Sequence, residues 1–301
     1  MTAVEPYRTS PIKPLRRSKD DIEQLKAELY EVVRADQPMT VRQVFYQMVS
    51  RGAIDKTENE YKHTVCRLLK DMRLERELPF GWIADNTRAM RKPLTFSSLD
   101  RALQRWAESY RKDLWDNQDA YVQIWLEKDA LSGVLFDITG VWDVPLMVTR
   151  GYASLSFLYS AAEEISIVDK PVFLYYFGDY DPSGMDIARV TEATLRKFAP
   201  EADITWERMA VNPDQITEFT LLTRPTKSTD SRSKGFQGGS VEVDAIPPAA
   251  LRRMAESCIT QHIDEQAYHG TCVAEQSERE IVQRMVNERY YRSPNQEAPG
   301  E

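Results

Sequence analysis

The chain has 301 residues, 42% of them hydrophobic, which is enough for two packed domains. Its 39 Lys and Arg against 47 Asp and Glu leave a net charge of −8. That balance excludes a uniformly basic surface but still permits a local basic groove. No apolar run reaches the length of a membrane span and the first residues hold no apolar signal core. Three scattered cysteines, Cys66, Cys258 and Cys272, exclude a disulfide framework and point to a reducing cytoplasm.

Residues 1–17 are Pro-rich and basic (Arg8, Lys13, Arg16, Arg17) and read as a loose arm. Ser18 then caps a helix whose apolar face carries Ile22, Leu25, Leu29, Val32 and Val33. Thr40 caps a second helix, from Val41 to about Ser50, with Val44, Phe45 and Met48 as its apolar side. A third spans about 58–77, followed by a short strand-like piece at 82–85 and the basic residues Arg88, Arg91 and Lys92. Three short helices and a small β element predict a winged-helix, helix-turn-helix type of module over 18–95, which would place one helix in the major groove of DNA. Arg67, Arg73, Arg88, Arg91 and Lys92 are its candidate DNA contacts. A small helical dimerisation domain has the same periodicity.

A linking helix follows, about 97–114 within a 96–120 connection. From 121 to 292 strands at 121–126, 145–149, 171–177 and 203–211 alternate with helices at 130–138, 153–166, 183–198 and 213–220. That rhythm predicts an α/β domain with a mostly parallel sheet. A polar loop at 224–240, which carries Arg224, Lys227, Arg232 and Lys234, precedes helices at 248–264 and 273–291, and 293–301 read as a loose tail. The chain has no Gly-x-x-x-x-Gly-Lys-Ser/Thr, Gly-x-Gly-x-x-Gly or Gly-x-Ser-x-Gly motif. His63, His262 and His269 form no zinc pattern with the cysteines.

Two apolar runs end in carboxylates. Val122–Leu126 runs into Glu127-Lys128-Asp129-Ala130, and Val172–Phe177 into Gly178-Asp179-Tyr180-Asp181-Pro182-Ser183-Gly184. In extended chain, residues i and i+2 point to one side, so Asp179 and Asp181 converge past the end of a strand. Open α/β sheets bind ligands there, and convergent carboxylates suit Mg2+. The same residues also suit a polar turn and helix cap.

These strand ends, together with Arg150-Gly151-Tyr152-Ala153-Ser154, resemble the three successive motifs of a toprim domain. The variant is that of topoisomerase VI (type IIB) A subunits and the related meiotic double-strand-break proteins. The resemblance covers about 121–198 and implies a Rossmann-like domain in which Glu127, Asp179 and Asp181 hold one or two Mg2+ ions, with Mn2+ as a substitute. Thr40-Val-Arg42-Gln-Val-Phe45-Tyr46 is similar to the shorter segment that carries the family's DNA-cleaving tyrosine. Gln43 and Phe45 depart from that pattern. By this resemblance Tyr46 is the candidate nucleophile, with Arg42 beside the phosphate; an aromatic residue in an amphipathic helix is otherwise ordinary core.

The implied activity is Mg2+-dependent cleavage of double-stranded DNA. Lys128 would add positive charge and Arg150 would touch the DNA backbone. The implied partners are a second copy of the chain and a separately encoded ATPase subunit, with no membrane, in a cytoplasmic, nucleoid-associated setting. Wadjet-type and overcoming-lysogenisation-defect nucleases share the acidic motifs and hydrolyse DNA without a covalent tyrosine link, so that alternative stands beside the first. A non-catalytic DNA-binding protein is the third.

Overall fold

The computed structural model describes residues 17–84, 93–225, 236 and 238–291, the last three by helical backbone alone. Ser18 opens α1 (Lys19–Asp36) through a capping box, its hydroxyl accepting from the Asp21 N–H while the Asp21 side chain accepts from the Ser18 N–H. Thr40 and Gln43 repeat the device at α2 (Val41–Ser50). The third helix winds as a π-helix over Glu60–Cys66 before α3 (Arg67–Leu74), and it ends three residues short of the expected 77. Among the described residues of this segment the only β feature is an isolated parallel bridge between Met39 and Ile83. The expected wing residues Arg88, Arg91 and Lys92 lie outside the described residues.

The linking helix is shorter than expected. It is α4 (Leu99–Ser109), capped by Ser98, and the chain is extended at Tyr110. The reason is tertiary: the Tyr110 carbonyl accepts from Arg279 Nε and the Lys112 N–H donates to Glu275. Backbone groups that would have continued the helix are taken by a distant one.

The strands match their expected spans to within a residue at either end. They are β1 (Tyr121–Leu126), β2 (Leu146–Val148), β3 (Val172–Phe177) and β4 (Ile204–Ala210), all parallel in the order β2-β1-β3-β4. The connecting helices are α5 (Ser132–Thr139), α6 (Leu155–Ser166) and α7 (Pro182–Phe198). Past the sheet come α8 (Pro213–Glu218), α9 (Pro248–Thr260) and α10 (Glu265–Tyr291). The last begins eight residues earlier than expected, because the Asp264 carboxylate accepts from the Ala267 N–H and opens the helix there.

Both faces of this Rossmann-like sheet are covered. Trp125 on β1 and Val172, Leu174 and Tyr176 on β3 pack with α6 and α7. Val122, Ile124 and Leu126 with Tyr175 and Phe177 pack into a second cluster. That cluster runs without a break through α5 and α9 into Leu29, Val33, Phe45 and Leu69 of the N-terminal helices. The N-terminal segment and the sheet therefore share one core, which seats α2 close to the sheet's rim. Among the described residues no helix is long and apolar enough to cross a membrane.

Candidate functional site at the sheet's carboxyl rim

The strand order reverses between β1 and β3: the chain leaves β1 for β2 on one side, then returns past β1 to β3 on the other. Such a switch point opens a crevice outside the carboxyl ends of the strands. Leu126 and Phe177 are register partners, and the Glu127 N–H donates to the Phe177 carbonyl at 2.9 Å. Glu127 and Gly178-Asp179 thus leave the sheet at one level. Glu127 Oε2 accepts from the Asp179 N–H at 3.0 Å and from the Tyr176 hydroxyl at 3.3 Å.

Two glycines make this approach possible. A Cβ at Gly178 would stand 2.5 Å from Glu127 Oε2, and one at Gly184 would collide with the Asp179 carbonyl oxygen. Asp181 is the N-cap of α7, its Oδ1 accepting from the Gly184 N–H at 2.7 Å. The capping role expected of this motif is therefore realised. Asp181 still faces the rim closely enough to oppose ionisation of Glu127.

The rim concentrates negative charge in a dry place. Burial pushes Asp179 up to about 7, the Lys128 ammonium opposes that rise, and the Glu127 charge adds to it. Burial likewise raises Glu127, against the hydrogen bond from the Asp179 backbone and the charge of Lys128. Hard oxygens that repel one another at a switch point suit a small divalent cation. Among the described residues, no group of three or more His, Cys, Asp or Glu side chains has the arrangement to hold a metal ion by itself.

Lys128 is no ordinary surface lysine. Its Nζ stands 2.7 Å from Asp244, 3.2 Å from Asp179 and 3.3 Å from Glu242. Burial works against its charge, but those carboxylates outweigh it and its pKa rises. Glu242 and Asp244 belong to a segment that crosses the rim. Val241 bridges Tyr180, the Val243 N–H donates to Asp179 Oδ1 at 2.8 Å, and Thr40 at the start of α2 donates to Asp244. Sequence reasoning missed this segment. Its signal was present: Val241-Glu242-Val243-Asp244 alternates apolar and acidic residues, as a strand does.

Arg208 on β4 was missed as well. Its guanidinium donates to the Gly178 carbonyl at 3.0 Å and the Asp179 carbonyl at 2.5 Å, beside the Tyr176 ring. It pins the turn that carries both carboxylates. Burial lowers its pKa, against the Tyr176, Glu127 and Asp179 charges.

The residues expected to face DNA separate into groups. Tyr46 is buried at 3% exposure, its ring beside Phe45 and its hydroxyl accepting from Arg224 at 3.1 Å. Burial, then the Glu242 charge, pushes its pKa up to about 12. Arg42 lies over the Tyr61 ring, with its guanidinium 4.0 Å from Glu242 and 3.9 Å from Glu58. Arg150, exposed and in the left-handed region at φ 55°, pairs with Asp129 at 2.9 Å. It borders a cavity of about 470 Å3 with Phe136, Leu146 and Val148. Arg67 and Arg73 lie on α3 and donate to their own helix at His63 and Leu69. The structure thus gathers Glu127, Lys128, Asp179, Asp181, Arg42 and Tyr46 around one rim, whereas Arg67 and Arg73 bond to the backbone of their own helix. The chain matches no model of a known protein family and no curated protein.

Proposed function

We propose that the rim cleaves phosphodiester bonds of DNA in a Mg2+-dependent hydrolysis. One observation supports this reading above the others: Glu127 and Asp179, 52 residues apart, meet through a 3.0 Å hydrogen bond at the switch point, with both carboxyls raised by burial. Glu127 and Asp179 would hold the ion, Asp181 would approach it, and substrate phosphate and water would complete its shell. The bound ion would supply positive charge at the scissile phosphate and acidify an attacking water. Lys128 stands beside both carboxylates, where it can stabilise the pentavalent phosphate. Arg208 keeps the Asp179 turn fixed throughout. The N-terminal helices, read as a winged-helix DNA-binding module, would hold the duplex against the rim. A second copy of the chain would supply the second cut, and light scattering that finds a monomer with and without DNA would remove that element.

A water nucleophile agrees with the state of Tyr46, since a buried phenol at about 12 is harder to ionise than an exposed one. A covalent reading keeps one observation in its favour. Tyr46 lies in the same network as the rim, through Arg224, Glu242 and Lys128. In that reading the Tyr46 oxygen attacks phosphorus and remains linked to it.

Nicking of supercoiled plasmid in Mg2+ and in EDTA, with and without protease digestion, tests both. Hydrolysis predicts Mg2+-dependent nicking that Tyr46→Phe retains and that leaves no protein on the DNA. Protease-sensitive adducts lost in Tyr46→Phe would establish the covalent route. A wild-type chain that binds duplex but never nicks would leave only DNA binding.

A further inference from the structure

Three cations from three separate elements meet on one carboxylate. Arg224 Nη1 lies 2.8 Å from Glu242, Lys128 Nζ 3.3 Å and Arg42 Nε 4.0 Å. Arg42 comes from α2, Lys128 from the end of β1, and Arg224 from the segment after α8. The Tyr46 hydroxyl closes the same cluster by accepting from Arg224. All four charged side chains remain reachable by solvent, at 24% exposure for Glu242 and Lys128, 29% for Arg42 and 44% for Arg224. Burial would raise Glu242, yet Lys128, Arg224 and Arg42 together hold it below the usual carboxylate range.

Such convergence is more than one glutamate needs. A single exposed ion pair contributes about 0–1 kcal/mol and seldom collects further cations. Two guanidiniums and an ammonium around one anionic oxygen pair are instead the donor set of a phosphate site: guanidiniums take oxygens in pairs and the ammonium acts as a point charge. The neighbouring carboxylates do not undo this. Asp179 and Asp244 hold Lys128 in place, Glu58 lies 3.9 Å from Arg42 and pairs more closely with Lys62 at 3.3 Å, and Lys56 adds a further cation over the Tyr46 ring.

We propose that Arg42, Lys128 and Arg224 form a binding site for a backbone phosphate of the nucleic-acid substrate, and that Glu242 fills it as an internal substitute until substrate displaces it. The inference rests on the reading of the rim as a phosphodiester site and adds to it a built-in competitor. A rotation of the Glu242 side chain removes one carboxylate from all three cations at once, while Lys128 keeps Asp244 and Asp179 and Arg42 keeps Glu58. Glu242 therefore weakens binding of stray anions and sets a threshold that only a polyanion passes.

Anisotropy of a short fluorescein-labelled duplex, titrated with the full chain in EDTA over a range of salt, reads this without any cleavage. Glu242→Gln is expected to bind on the order of tenfold tighter than wild type. Its affinity should fall with salt by about one further unit of slope or more. Glu163→Gln, which removes an exposed charge on α6, is expected to gain about twofold at most. Adding Arg224→Gln to Glu242→Gln should cancel the gain. A folded Glu242→Gln chain that gains no more than Glu163→Gln overturns the proposal, and so does a gain that survives loss of Arg224. Should Glu242→Gln not fold, Arg224→Gln alone must weaken duplex binding and flatten the salt slope; unchanged binding rejects the site. Nicking and affinity fail separately. A gain without wild-type nicking sinks hydrolysis and keeps the anion site, whereas nicking without a gain does the reverse.

Discussion

The ends of β1 and β3 and the middle of α2 both carry residues expected to act on DNA, and the fold treats them in opposite ways. At the strand ends it buries carboxylates beside one another, which raises Asp179 and Glu127 and costs stability at neutral pH. On α2 it packs Tyr46 as any core aromatic, touching Phe45 and sealed to 3% exposure. Unfavourable electrostatics persist where something beyond the folded chain compensates them, and packed aromatics need no such explanation. On the proposed reading, the contrast gives the chemistry to the rim and a largely structural part to Tyr46.

The widest test of this contrast is activity. Glu127→Gln and Asp179→Asn each should lower Mg2+-dependent plasmid nicking by on the order of 10^3-fold, while Tyr46→Phe stays within about threefold of wild type. Equal losses at all three positions would erase the distinction between the regions.

Stability against pH sharpens it further. Asp179 is raised from its ordinary range to about 7, so the folded chain binds more protons than the unfolded chain between about pH 4 and pH 7. Stability therefore falls as pH rises through that window. Asp179→Asn removes the charge while keeping an oxygen for the Val243 N–H. In metal-free buffer at pH 8 it should be more stable than wild type by on the order of 1–3 kcal/mol, an advantage that shrinks toward pH 5. Denaturant melts at both pH values measure this, and a variant less stable at pH 8 contradicts the cost attributed to the rim.

Next in size is Gly184→Ala, whose new Cβ would collide with the Asp179 carbonyl oxygen. It should lose about 1–3 kcal/mol and weaken nicking as the turn moves. The smallest effect belongs to Tyr46→Phe, which loses the hydrogen bond from Arg224 and should cost about 1 kcal/mol in a thermal or denaturant melt.

Local chemistry made much of this legible from residues alone. Ser18 and Thr40 announced their helices because a side-chain oxygen satisfies an N–H a few residues on, with no help from elsewhere in the chain. The apolar runs at 121–126 and 171–177 announced buried parallel strands, and their acidic ends located the rim. The end of α4 at Ser109 was displaced, since Arg279 and Glu275 claim the backbone at Tyr110 and Lys112 from 163 or more residues away.

What the amino-acid order determined, then, was a parallel α/β sheet, its caps, and two carboxylate-bearing strand ends, because each depends on neighbours within a few positions. Only the tertiary structure decided that Glu242 and Asp244 cross the rim, that Arg208 clasps the Asp179 turn, and that Tyr46 sits sealed beside Arg224. Those contacts join residues separated by 29 to 204 positions. Charge–charge energies depend on distance through space and on burial, and no local pattern encodes either.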